Sequence, residues 1–126
     1  MSSVDVGQLC VDTVNRYRAM RSMPPLARWR DAEECAASEA ADDARAQQAH
    51  SSFGRCKEWA QNGCPNWAGS PAAVTDECLR AMWDEGPGDP SEHGHYNNMV
   101  SPRWTKVACG TFTMPNGLLW AVQIYQ

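Results

Sequence analysis

Positive charge is scarce in this chain. Eleven Lys and Arg stand against fifteen Asp and Glu, for a net charge of −4 and a pI of about 5.2. That balance argues against nucleic acid or an anionic membrane as a partner, since both require a basic face. The acids are interspersed with bases, so there is no acidic tail. No run approaches the roughly 20 apolar residues of a transmembrane helix. C-x-x-C is absent, which excludes the commonest zinc-ribbon and thioredoxin-type patterns. H-E-x-x-H and G-x-S-x-G are absent too, which removes the zinc-protease helix and the nucleophile elbow. The first residues, MSSVDVGQLC, have neither a basic start nor a long apolar core and do not read as a signal peptide. Histidine is rare: three residues, two of them in the stretch EHGHYNNMV.

What is present begins with cysteine. Cys10, Cys35, Cys56, Cys64, Cys78 and Cys109 form an even set in a 126-residue chain. The length fits one domain, residues 1–126, able to bury roughly two thirds of its unfolded surface. Six cysteines in so small a chain point to three disulfides and an oxidising compartment, with reduced buried thiols as the competing reading. The expectation is an extracellular protein that begins at its mature N-terminus. Six cysteines allow 15 pairings. Cys56–Cys64, closed by a short Gly/Pro/Asn-containing loop, is the pair most easily guessed.

Helical spacing of Val6, Leu9, Cys10, Val14 and Tyr17 predicts a helix over residues 4–21, stopped by Met23-Pro24-Pro25. Asp31 is placed to cap a second helix running to about Gln48, with Ala36, Ala40 and Ala44 as its apolar stripe and Glu, Asp, Arg and Gln opposite. Residues 50–69 read as irregular, with a strand near Trp59–Asn62. Ser70-Pro71 opens a third helix that ends before Gly86. Residues 86–94 read as a loop, and Tyr96–Val100 as a short helical turn. Trp104–Thr113 and Leu118–Tyr125, joined through Asn116-Gly117, form a β-hairpin. The fold class is α+β.

These pieces, in this order, resemble the CAP superfamily of cysteine-rich secretory, venom-allergen and plant pathogenesis-related proteins. The resemblance is carried by VNRYRAMRSMPPLARW, by the alanine-rich helix ending at His50, by AQN (Ala60–Asn62), by AMWDE (Ala81–Glu85) and by GHYNNMV…VACG (Gly94–Gly110). It implies a disulfide-stabilised three-layer α-β-α sandwich around a central, mostly antiparallel sheet. It also implies a cleft lined by two histidines, His50 and His95, and two acids. One acid falls on Glu85; the other position holds Gln61. The family's Trp after the signature turn is replaced by Met-Val-Ser-Pro-Arg, and Ala108 replaces a small Gly before Cys109.

Two imidazoles and a carboxylate suit Zn²⁺ or another divalent cation. Glu85 could serve as a ligand, as a general base, or as a group orienting a histidine through a ring N–H. Gln61 does not titrate and suits hydrogen bonding to a ligand better than proton transfer. His93 is read as a rim or solvent residue, and Ser51 and Ser52 as turn or cap residues. The six Trp read as core packing, with partial exposure of Trp59 and Trp67, as an apolar wall for a lipid or aromatic ligand, the competing reading. The leading functional expectation is a binding module: a His50/His95 metal with Glu85 assisting, and a lipid, sterol or protein partner, as the resemblance implies. The rivals are a metal-dependent hydrolase using Glu85 as base, and an extracellular scaffold with a vestigial site.

Overall fold

A computed structural model describes residues 4–126, so the start of MSSVDVGQLC lies outside the described residues. Helix α1 (Val6–Ala19) begins where Asp5 accepts a hydrogen bond from the Gln8 amide. Two-residue β1 (Ala27–Arg28) follows the prolines and pairs in parallel with the start of β3 (Lys106–Thr113). Arg28 then bridges Asp5 and Glu33 at 2.8 and 2.6 Å. Helix α2 spans Glu33–Ala46. Asp31 does not cap it: Asp31 lies inside a 3-10 turn, Arg30–Ala32, and Ala32 occupies the cap position. Glu33 and Glu34 in the first turn supply negative charge to that helix end instead.

Strand β2 runs over Ala60–Trp67, well beyond the short strand expected, with a bulge between Cys64 and Trp67. Pro65 is tolerated because β2 is an edge strand and the ladder is already broken there. Helix α3 (Pro71–Trp83) starts as the sequence indicates, with Ser70 accepting from the Ala73 amide. The 86–94 loop is shorter than expected. Helix α4 covers Pro90–Val100, because Asp89-Pro90 repeats the cap-then-proline pattern of Ser70-Pro71. Strand β4 (Leu119–Tyr125) completes the hairpin.

The sheet order is β1-β3-β4-β2, antiparallel except for β1 with β3. Period-2 alternation sends Leu119, Ala121 and Tyr125 to one face and Trp120, Val122 and Ile124 to the other. The first face packs on α1, α3 and α4, the second on α2, so β4 is buried along its whole length. This is the α-β-α sandwich. All six cysteines are paired, as Cys10–Cys109, Cys35–Cys56 and Cys64–Cys78. The expected Cys56–Cys64 bond is therefore corrected. Cys56 packs in the α2 layer and Cys64 in the opposite layer, so the sheet separates them. The pairs enclose 14, 21 and 99 residues of sequence, and loop entropy assigns such links roughly 3 to 5 kcal/mol each.

Helix α2 lies unusually close to the sheet. A Cβ built on Gly110 would stand 2.2 Å from the Ala37 amide nitrogen and 2.6 Å from the Ala36 carbonyl carbon. Neither is a flexible atom that can move aside. Gly110→Ala is therefore expected to cost about 3 kcal/mol or more, at or above the upper end for overpacking. Urea unfolding at fixed m-value measures it; an unchanged midpoint would mean that α2 does not rest on Gly110.

Candidate functional site

His50, Gln61, Glu85 and His95 come from four parts of the chain and line one cleft of about 290 Å³, together with Asn62 and Asn98. His50 sits in the loop leaving α2, at φ +66°, a left-handed conformation uncommon outside glycine but one that histidine adopts more readily than most side chains. Gln61 is the second residue of β2, Glu85 follows the end of α3, and His95 lies in α4. Asn62 fixes α4 against the sheet: its Nδ2 donates to the His95 carbonyl (3.0 Å), and its Oδ1 accepts from Asn98 (2.9 Å). His93 is not simply a solvent residue. Its Nδ1 lies 2.6 and 2.9 Å from the Glu85 and Gly86 carbonyl oxygens, which ties α4 to the segment bearing Glu85.

Each cleft histidine is held by its Nδ1. His50 Nδ1 meets Gln61 Oε1 at 2.5 Å, and His95 Nδ1 meets Glu85 Oε2 at 2.7 Å. The second Glu85 oxygen accepts the Tyr96 amide at 3.2 Å. Both carboxylate oxygens are thus engaged inside the protein. Among the described residues, the group of three acidic, Cys or His ligand atoms close enough for one ion is Cys35, Glu39 and Cys56. Its two sulfurs are spent in a disulfide, so they are not thiolate ligands.

Behind Gln61 lies a second layer that the sequence reading missed. Gln61 Nε2 donates to Glu39 Oε1 at 2.7 Å and to Asp43 Oδ2 at 3.3 Å. Glu39 and Asp43 are 0% and 1% exposed. Asp43 Oδ1 also accepts from the Ser51 and Ser52 hydroxyls and the Ser52 amide, so these serines do close the turn beside His50. The Cys56 amide lies 3.2 Å from Glu39 Oε2 and 3.1 Å from Oε1 of buried Glu58, so the two carboxyls share one donor. Burial first, then that neighbouring carboxyl, pushes the Glu39 pKa up to about 8. Glu58 Oε2 is buried without a hydrogen-bond partner. The signal was in the spacing. Residues 36, 39, 40, 43 and 44 share one helical face, so the alanine stripe carries Glu39 and Asp43 inward with it.

The profile of the CAP family, described as the cysteine-rich secretory protein family, matches residues 11–125. The chain belongs to the CAP family. Solved CAP-like structures agree in fold. Na-ASP-1 superposes with a TM-score of 0.69 at 13% identity, over 98% of this chain and 39% of its own. Hookworm Platelet Inhibitor gives 0.65 at 16%, over 99% and 70%. Schistosoma mansoni venom allergen-like protein 4 gives 0.57 at 13%, over 98% and 89%. This chain therefore spans well under half the length of Na-ASP-1. No curated protein matches the sequence at a significant level.

A second, apolar groove of about 220 Å³, lined by Pro65, Trp67, Ala81 and Met82, shares Glu85 and His95 with the cleft. Trp67 thus borders the site. Trp59, 60% exposed, stands at the opposite end of β2, beside Trp104.

Glu39 gives the CAP domain a pH signature. In the fold it keeps its proton up to about pH 8; unfolded, it releases it near the ordinary 4.5. Between those values the unfolded chain binds fewer protons than the native chain. Stability contributed by protonated Glu39 is fully present below that range and falls as pH rises, by at most about 1.4 kcal/mol per unit. Glu39→Gln removes this dependence. Its gain in Tm over the parent should grow between about pH 5 and 8; a constant difference would show that Glu39 does not hold the proton.

Proposed function

We propose that this is an extracellular CAP domain whose cleft binds a divalent cation, zinc foremost, through His50 and His95, and holds a partner there. One observation carries the reading. Each imidazole commits Nδ1 to a hydrogen bond within the protein, His50 to Gln61 and His95 to Glu85, leaving Nε2 as the free ring nitrogen of two side chains lining one cleft. Neutral imidazole is a preferred zinc donor, and a partner on its other nitrogen fixes its orientation. When bound, the cation supplies Lewis acidity toward a carbonyl or carboxylate oxygen of the partner. Glu85 has the role of orienting His95 and anchoring the Tyr96 amide; with both oxygens so engaged, no proton transfer is assigned to it. The three disulfides support the extracellular assignment. No described helix is long and apolar enough to cross a membrane.

The adjoining groove sets the kind of partner. Its volume of about 220 Å³ lies below the roughly 300–1,000 Å³ of a site for a drug-sized molecule. It suits a short acyl end or a single apolar side chain, with a polar group reaching the histidines, and not an entire sterol.

Calorimetric titration with zinc tests the metal. The parent protein should bind, while His50→Ala or His95→Ala should lose most of the affinity and Glu85→Gln roughly 10–100-fold. Acidification should weaken binding, because a proton competes for Nε2. An affinity that stays flat from about pH 7.5 to 5, or that ignores both histidines, sinks the proposal. For the groove, decanoate should shift the NMR signals of Trp67 and Met82 and cholesterol should not; the reverse pattern would reassign the partner.

A further inference from the structure

We propose that Glu39 and Asp43 are positioning residues for the cleft: by taking both N–H groups of the Gln61 amide, they decide which tautomer His50 presents to a ligand. The inference deepens the metal-binding reading and rests on it for its purpose, though not for its test.

A Gln side chain has one acceptor oxygen and one nitrogen with two donor hydrogens, and the two ends have nearly the same shape. Geometry alone does not fix which end faces His50; the surroundings do. Here the nitrogen end meets two acids, Glu39 Oε1 at 2.7 Å and Asp43 Oδ2 at 3.3 Å. Turned over, the amide would set its oxygen against both. The oxygen end therefore faces His50 Nδ1, which must carry the hydrogen. Nε2 is then a lone pair. With the amide reversed, Nδ1 would become the acceptor, the hydrogen would move to Nε2, and His50 would meet the cleft as a donor unable to ligate a cation.

The two acids are themselves held in place. Three donors from Ser51 and Ser52 fix Asp43 Oδ1, which leaves Oδ2 for Gln61. The Cys56 amide lies 3.2 Å from Glu39 Oε2 and 3.1 Å from Glu58 Oε1, which holds the far oxygen of Glu39 away from Gln61. Glu39 Oε1 is thereby left to accept from Gln61 whether or not the carboxyl is protonated on its other oxygen. His95 needs no such arrangement, because both faces of a carboxylate accept and Glu85 cannot present a donor while ionised.

The test reads the tautomer directly. Long-range proton–nitrogen NMR of metal-free, ¹⁵N-labelled protein, above the ordinary imidazole range at about pH 8, should show His50 protonated on Nδ1. Glu39→Gln should preserve this, since its amide oxygen still accepts from Gln61 and its nitrogen can serve Glu58. Glu39→Leu should shift His50 toward the Nε2–H form. So should Asp43→Asn, which keeps its oxygen on the serines and turns an NH₂ toward Gln61; it covers the case in which Glu39→Leu fails to fold. The two disruptive variants should lose roughly 10–100-fold in zinc affinity, and Glu39→Gln little. His50 found as Nε2–H in the parent, or unmoved in Asp43→Asn, overturns the inference. A tautomer that follows these rules without any zinc binding would instead overturn the metal reading and leave the positioning intact.

Discussion

The approach of α2 to Gly110 governs the rest of the structure. With backbone against Cα, the helix lies as near the sheet as the chain allows, and only a residue without a Cβ permits it. The same helical face that presents Ala36, Ala40 and Ala44 to Ala108, Val122 and Ile124 presents Glu39 and Asp43 one turn along. Depth is what brings those acids into reach of Gln61 on β2. A helix standing off by a methyl group would leave the amide without acceptors at 2.7 and 3.3 Å. The loop carrying His50 leaves from the end of this helix and is tied back to Asp43 through two serines. Half of the cleft is thus suspended from one helix–sheet contact.

The other half hangs from the opposite layer by different means. Cys64–Cys78 joins β2 to α3, whose end delivers Glu85. Asn62, two residues before Cys64, holds the His95 carbonyl, and His93 grips the turn after α3. Buried Arg18 closes this layer by donating to the carbonyls of Pro24, Met99 and Ser101, at distances of 2.8 to 2.9 Å, which pins the end of α4 to α1. A guanidinium buried among carbonyls is expensive to desolvate, and three charge-assisted bonds are what make it tolerable. The cleft lies across the edge strand β2, between two layers that are fixed independently.

The layered α+β fold was legible because its signals are local. Ser70-Pro71, Asn116-Gly117 and the alternating tail each state their structure within a few residues, and the quoted family segments order them. The cleft residues His50, Gln61, Glu85 and His95 are reachable only through that resemblance, since nothing local says that residues 10 to 45 apart in sequence share a groove. Cys56–Cys64 misled because loop length favours near neighbours, whereas a sheet lying between two cysteines forbids the bond at any separation. The start of α4 was missed for a plainer reason: Gly86 and Gly88 outweighed the Asp89-Pro90 signal. Charge points Glu39 and Asp43 to solvent, although helical arithmetic puts them beside the alanines. Residue type overrode position, and position was right.

The two histidines come out unequal, and the cause is the single amide at position 61. His95 faces a carboxylate directly, so any positive charge gained on its ring is met at 2.7 Å by a full negative one. His50 faces a neutral oxygen, and the negative charge that backs it sits one residue deeper, where burial keeps Glu39 protonated under most conditions. A carboxylate in place of Gln61 would have set four acids, with Glu39, Asp43 and Glu58, around one buried point. Mutual repulsion would then compel protonation of at least one more of them. The amide avoids this while keeping the acceptor that His50 needs. Gln61 is therefore the residue compatible with an acid-rich α2 face, and the neutral side chain in the cleft follows from the charged ones beneath it.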